Sequence, residues 1–152
     1  MCEITVYEES EREVIAKRCV GSISETGKNW QKFAKMLNQQ GFHYSEWGIE
    51  EYHSEVDRWN PENFEYELML PVHEDHQPDE PLYKKTLPAG KVASIIFRGA
   101  FDKMGEYYKK LAEWIAKNDL QIDGNVRIVH LRCPRNTNHS DGLVTEIQIP
   151  VK

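Results

Sequence analysis

No stretch of this sequence approaches the roughly 20 consecutive apolar residues that a membrane-spanning helix needs. The opening Met1-Cys-Glu-Ile4 holds neither a basic cluster nor an apolar run of the signal-peptide kind. Cysteine is scarce. Cys2, Cys19 and Cys133 are odd in number and lack the paired spacing of a metal site, so reduced thiols in a cytoplasmic protein are expected. Positive charge is in deficit, with 19 Lys and Arg against 25 Asp and Glu, for a net charge of −6. General nucleic-acid binding needs a basic face, and this balance argues against it. It favours a cationic or neutral small partner over an anionic one.

What is there is a pattern stated twice. Phe64-Glu-Tyr-Glu-Leu-Met-Leu-Pro-Val72 is matched by Leu143-Val-Thr-Glu-Ile-Gln-Ile-Pro-Val151. Glu67 and Glu146 hold the same place, three residues before an aliphatic-Pro-Val ending, at an offset of 146 − 67 = 79. Upstream, Trp30-Gln-Lys-Phe-Ala-Lys-Met-Leu37 lies over Tyr108-Lys-Lys-Leu-Ala-Glu-Trp-Ile115 at an offset of 108 − 30 = 78. A fixed period marks duplicated structural units.

Each helix stretch carries a stripe of helical period, with Met104, Tyr108, Leu111 and Ile115 in one and Trp30, Phe33 and Leu37 in the other. Asp102 is a candidate N-cap for the second helix, and Ser24 or Thr26 for the first. Gly41 stands where a C-terminal cap glycine belongs. A β-branched run, Val14–Val20 or Val92–Phe97, precedes each helix, and a middle strand follows it, Trp47–Tyr52 or Val126–Leu131. The pattern predicts an α+β fold. Two β-α-β-β repeats related by a pseudo-twofold form an antiparallel sheet with two long helices and a central ligand cleft.

At 152 residues the chain is expected to be one domain. Unit one covers about 1–72, a linker about 73–87, and unit two about 88–152. The linker is marked by Pro71, Pro78, Pro81 and Pro88 around an acidic, His-bearing stretch. His73 and His76 have no specific ligand spacing there, so no metal is expected. No cofactor motif is present.

Period-two alternation puts Phe64, Tyr66, Leu68 and Leu70 on one face of their strand, and Glu65, Glu67 and Met69 on the other. In the second copy Leu143, Thr145, Ile147 and Ile149 oppose Val144, Glu146 and Gln148. The more apolar face should take the helices. Glu67 and Glu146 then point away from them.

Four segments appear in order: Leu87-Pro-Ala-Gly-Lys-Val-Ala93, Phe97-Arg-Gly-Ala-Phe-Asp-Lys-Met-Gly105, Leu111-Ala-Glu-Trp-Ile115 and Val144-Thr-Glu-Ile-Gln-Ile-Pro-Val151. Together they resemble the GyrI-like small-molecule-binding domain, the effector-binding part of multidrug-responsive and AraC-type regulators. The resemblance implies two β-α-β-β units and a cleft for hydrophobic, often cationic or polyaromatic ligands, with an acidic residue inside. The matching residue is Glu146. Some stand-alone members resemble hydrolases that open the cyclopropane of DNA-alkylating compounds, for which the matching carboxylates are Glu146 and Glu67. One tyrosine often found in the cleft is His130 here, whereas Tyr52 keeps its counterpart in the first unit. Residues 1–13 are too short for a helix-turn-helix, so a regulator of the fused type is not expected.

The candidate ligand-binding residues are therefore Glu146, Glu67, Tyr52, Trp59, Tyr107, His130 and Met69. The aromatics would stack a flat ligand or face a cation. Trp59 sits in the polar stretch Asp57-Arg-Trp-Asn-Pro61, where a core role is unnatural. The leading expectation is a stand-alone protein that sequesters a hydrophobic or cationic small molecule, without direct nucleic-acid or membrane contact. The alternatives are a cyclopropane-opening hydrolase, with Glu146 and Glu67 catalytic, and a topoisomerase-interacting inhibitor.

Overall fold

The computed structural model describes residues 3–44, 47–53, 63–132 and 142–152. The order of elements is β1 (Ile4–Glu9), β2 (Arg12–Gly21), α1 (Thr26–Gln39), β3 (Gly48–Tyr52), β4 (Phe64–Leu70), β5 (Tyr83–Leu87), β6 (Gly90–Arg98), α2 (Met104–Lys117), β7 (Arg127–Arg132) and β8 (Val144–Pro150). The fold is α+β, and the strand pairs within each of its two compact units are antiparallel.

One unit joins Met1–Glu11 to Pro88–Lys152, and its strands run β1-β6-β8-β7. The other is Arg12–Leu87, ordered β3-β4-β2-β5. These boundaries differ from the sequence reading at two places. The segment expected as linker contains β5, which pairs with β2, and the N-terminal strand β1 pairs with β6. Each unit thus has an edge strand beyond the β-α-β-β pattern. The sequence signal missed them because an edge strand need bury only part of one face. β1 and β5 are accordingly polar, Ile-Thr-Val-Tyr-Glu-Glu and Tyr-Lys-Lys-Thr-Leu.

In the Arg12–Leu87 unit, Phe33 and Leu37 of α1 pack on Ile15, Phe64, Tyr66, Leu68 and Leu70. In the other unit, Tyr107 of α2 stacks on Phe97 of β6 at 4.6 Å, and Leu111 and Ile115 are buried. Registers Phe97↔Thr145 and Ile95↔Ile147 put the helix on the face of Thr145, Ile147 and Ile149. The alternation read from sequence therefore holds in both units, and Glu67 and Glu146 lie on the faces away from the helices.

Both helices end alike. Gly41 takes φ +80°, with Gly41 N donating to Asn38 O and Phe42 N to Leu37 O. Asp119 takes φ 58°, with Asp119 N on Ala116 O and Leu120 N on Ile115 O. These are Schellman ends, which need a left-handed residue just past the cap. Glycine supplies it freely in one copy, and Asp119 stands at the same offset, 119 − 41 = 78, in the other. The helix starts differ from expectation. α1 begins at Thr26 itself and α2 at Met104, each after a short 3-10 turn, and neither has a side-chain cap; Asp102 lies within the turn before α2. The turns leave no room for the expected Asp102 or Ser24 caps.

Gly48 opens β3 beneath Trp30, where an added Cβ would stand 2.7 Å from the indole ring. Among the described residues no helix is long and apolar enough to cross a membrane.

Candidate functional site

Each unit sets one glutamate in an interior strand, with sheet neighbours on both sides. In the β1-β6-β8-β7 sheet this is Glu146, opposite Ile96 of β6 and Val129 of β7. It is 8% exposed. Two hydroxyls donate to its Oε2: the phenol of Tyr7, from edge strand β1, and Ser94 at 2.7 Å. Gln148 Nε2 in turn donates to the Tyr7 oxygen at 2.8 Å. No hydrogen bond reaches Glu146 Oε1 among the described residues, and no cationic side chain pairs with this carboxylate among them. Burial, reinforced by the bond to Glu146 and its charge, raises the Tyr7 phenol pKa, so the phenol stays a neutral donor. On the same face Ile96 is 47% exposed, an apolar side chain directly beside the carboxylate.

Glu67 holds the equivalent place in β4, opposite Arg18 of β2 and Glu51 of β3. It is 4% exposed and both its oxygens are engaged. His53 Nε2 and Lys85 Nζ each lie 2.5 Å from Oε1, and the Tyr83 phenol donates to Oε2. Lys85 also reaches Glu51 Oε1 at 2.6 Å. Burial opposes ionisation of Glu67, but bonds from Lys85, Tyr83 and His53, with the Lys85 charge, outweigh it and hold its pKa down to about 2. Burial likewise disfavours the Lys85 ammonium, and Glu51 and Glu67 overcome it, raising its pKa. The Tyr83 phenol pKa is raised by burial and by Glu67.

Glu51, His53 and Glu67 bring three potential metal donors within 4.8 Å of one another. The Lys85 ammonium bridges the two carboxylates of that set, so the cationic position is already filled by the protein itself.

The sequence signature of the GyrI-like small molecule binding domain matches residues 3–152. This chain belongs to that family. The solved C-terminal domain of EcmrR is similar to this GyrI-like chain over 100% of it and 98% of that domain, with 20% identity and a TM-score of 0.91. EcmrR in a DNA complex matches over 99% of the chain at the same identity and TM-score, and there the chain spans 57% of the longer protein. A hydrolase from Listeria innocua matches at 10% identity and a TM-score of 0.68, over 99% of the chain and 92% of its own. SAV2435 bound to tetraphenylphosphonium matches at 13% identity and a TM-score of 0.60, over 99% and 94%. At these identities the likeness is one of fold. No curated protein sequence matches the chain.

Within the GyrI-like fold the expected site residues separate. Met69 shares the open face of β4 with Glu67 and is fully buried. Tyr52 pairs with Tyr66 on the helix side and packs edge-on against Phe64 at 4.9 Å. His130 pairs with Thr145, also on the helix side, and meets Phe101 edge-on at 5.6 Å. Tyr107 lies on α2 against Phe97. These three aromatics therefore sit on the opposite face of their sheets from the carboxylates. Period two explains it: the residues sharing the carboxylates' face are Glu51 and Val129, one position earlier on each middle strand. Trp59 and Cys133 lie outside the described residues.

Five partners were missed: Tyr7, Ser94, Tyr83, Lys85 and His53. Three come from the edge strands. A signal for them exists in the repeat, since 85 − 7 = 78 aligns β1 with β5. Of the linker histidines, His76 has a packing role, and the linker's Glu74 holds His43. His76 stacks on Phe42 at 4.1 Å and its Nε2 lies 2.8 Å from Gln40 O, while His43 pairs with Glu74 at 2.6 Å.

Proposed function

We propose that this GyrI-like domain binds a hydrophobic cation, with Glu146 as the anionic contact and the apolar surface beside it as the second. The observation that carries the reading is a carboxylate with only one oxygen engaged among the described residues. Glu146 is buried, takes two neutral hydroxyl donors on one oxygen, and has an exposed isoleucine, Ile96, next to it. A buried carboxylate without a cation of its own gains most from a ligand that brings one. A lipophilic onium ion meets both demands, since its charge is spread under apolar groups. That SAV2435 carries tetraphenylphosphonium on the same fold supports this ligand class.

A second reading is hydrolysis of a strained electrophile. It is favoured by the same Glu146 Oε1, which could orient a water while the Tyr7 phenol supplies a neutral donor. The two readings separate in one experiment. The protein is incubated with lipophilic cations and with cyclopropane-bearing alkylators, and bound and released species are weighed by mass spectrometry. Retention of unchanged cation is the expected result. Water-added alkylator would transfer the site to the enzyme reading, and no retention of any compound would remove both.

A further inference from the structure

The repeat does not copy the site; it changes its charge. In β1, Tyr7 stands opposite Val92 of β6. In β5, Lys85 stands opposite Val14 of β2. Both differences, 92 − 14 and 85 − 7, are 78, so Tyr7 and Lys85 occupy one position of the duplicated unit. Other neighbours change with them, among them Ile96, opposite Glu146, which is replaced by Arg18, opposite Glu67. Val129, opposite Glu146, is replaced by Glu51, opposite Glu67. Ser94, which donates to Glu146, is replaced by Ala16. One copy surrounds its glutamate with neutral donors and an apolar side chain. The other surrounds it with an ammonium and a second carboxylate.

We propose that Lys85 is a tethered cation occupying the Arg12–Leu87 unit's copy of the carboxylate site, so that Glu67 is closed to outside cations and Glu146 alone receives one. The second half of this statement rests on the function proposed above; the first half stands on its own. Lys85 Nζ touches Glu67 Oε1 at 2.5 Å and Glu51 Oε1 at 2.6 Å, the contacts a bound alkylammonium would make. A short covalent tether gives its end group an effective concentration of about millimolar or more. A free cation must exceed that to displace it. Lys85 is thus the residue that makes two equivalent carboxylates unequal in specificity.

The test is chemical rescue. Lys85→Ala removes the ammonium and leaves a space of its shape. Its thermal midpoint is expected to fall below that of wild type, and about 50 mM ethylammonium chloride should raise it by several degrees more than equal sodium chloride. Wild type, whose site is filled, should respond alike to the two salts. The double variant Lys85→Ala/Glu67→Gln should lose the rescue, which ties it to Glu67. If Lys85→Ala does not fold alone, refolding in ethylammonium is expected to recover it where sodium chloride does not. Equal responses to both salts in Lys85→Ala, or an equal ethylammonium effect in wild type or in the double variant, would overturn the proposal. In parallel, tetraphenylphosphonium affinity should fall at least tenfold in Glu146→Gln and stay within about twofold in Glu67→Gln. Reversed sensitivities would overturn the assignment of the outside cation to Glu146. Absence of tetraphenylphosphonium binding in wild type would remove the proposed function and the second half of the proposal, and leave the rescue result to decide the first half.

Discussion

Glu67 and Glu146 share a residue type, a register and a depth, and differ in what neutralises them. Glu67 is held ionised by Lys85, Tyr83 and His53, with its pKa depressed from 4.5 to about 2. A depressed carboxylate contributes stability that is fully present above its unfolded value and is lost as pH falls through the folded one. That places the acid limb between about 4.5 and about 2. Lys85, raised above 10.5, contributes stability that is complete below its unfolded value and fades only above it. The pair is therefore at full strength between about 4.5 and 10.5. Linkage puts the Glu67 share at about 3 kcal/mol at most. Glu67→Gln is expected to lower stability at pH 7 by roughly 2–3 kcal/mol and to flatten the fall between pH 4.5 and 2. Denaturant melts across that range check it, and an unchanged acid limb would contradict the assignment.

At the scale of elements, the two helix ends offer a controlled comparison. The same left-handed position is Gly41 in α1 and Asp119 in α2. A left-handed conformation is unfavourable for a residue with a Cβ, least so for Asp and Asn. Asp119→Gly should therefore stabilise by about 0.5–1 kcal/mol, seen as a rise of roughly 1–4 °C in thermal midpoint. A fall would show that the Asp119 side chain contributes more than its backbone strain.

The elements also show where the sequence was legible. Strands β2, β4, β6 and β8 and both helices carry a regular apolar face, so period two and period 3.6 reveal them. The same periodicity assigned Glu67 and Glu146 to the faces away from the helices. Strands β1 and β5 bury little, and β5 lies in a proline-marked stretch, so alternation alone passes over them. With them went Tyr7, Tyr83 and Lys85, the residues that define the surroundings of each carboxylate. Tyr52 and His130 lie one register position away from the residues that share the carboxylates' face. An aromatic on a middle strand reads as a ligand wall until the partner strand fixes which face it occupies.

For the molecule as a whole, a net charge of −6 favours approach of a cation, an attraction that salt screens over about 10 Å at 0.1 M. Duplication has given the chain two equivalent carboxylates, one paired with the protein's own lysine and one, among the described residues, with hydroxyls only. The central claim is that the second of these, Glu146, binds a hydrophobic cation by its charge. Calorimetric titration of tetraphenylphosphonium into wild type and Glu146→Gln tests it most directly, because the substitution keeps shape and removes charge. A charged contact is worth about 1.5–3 kcal/mol, so the variant should bind at least tenfold more weakly while its thermal midpoint stays close to that of wild type. Equal affinities for the two proteins would contradict the account.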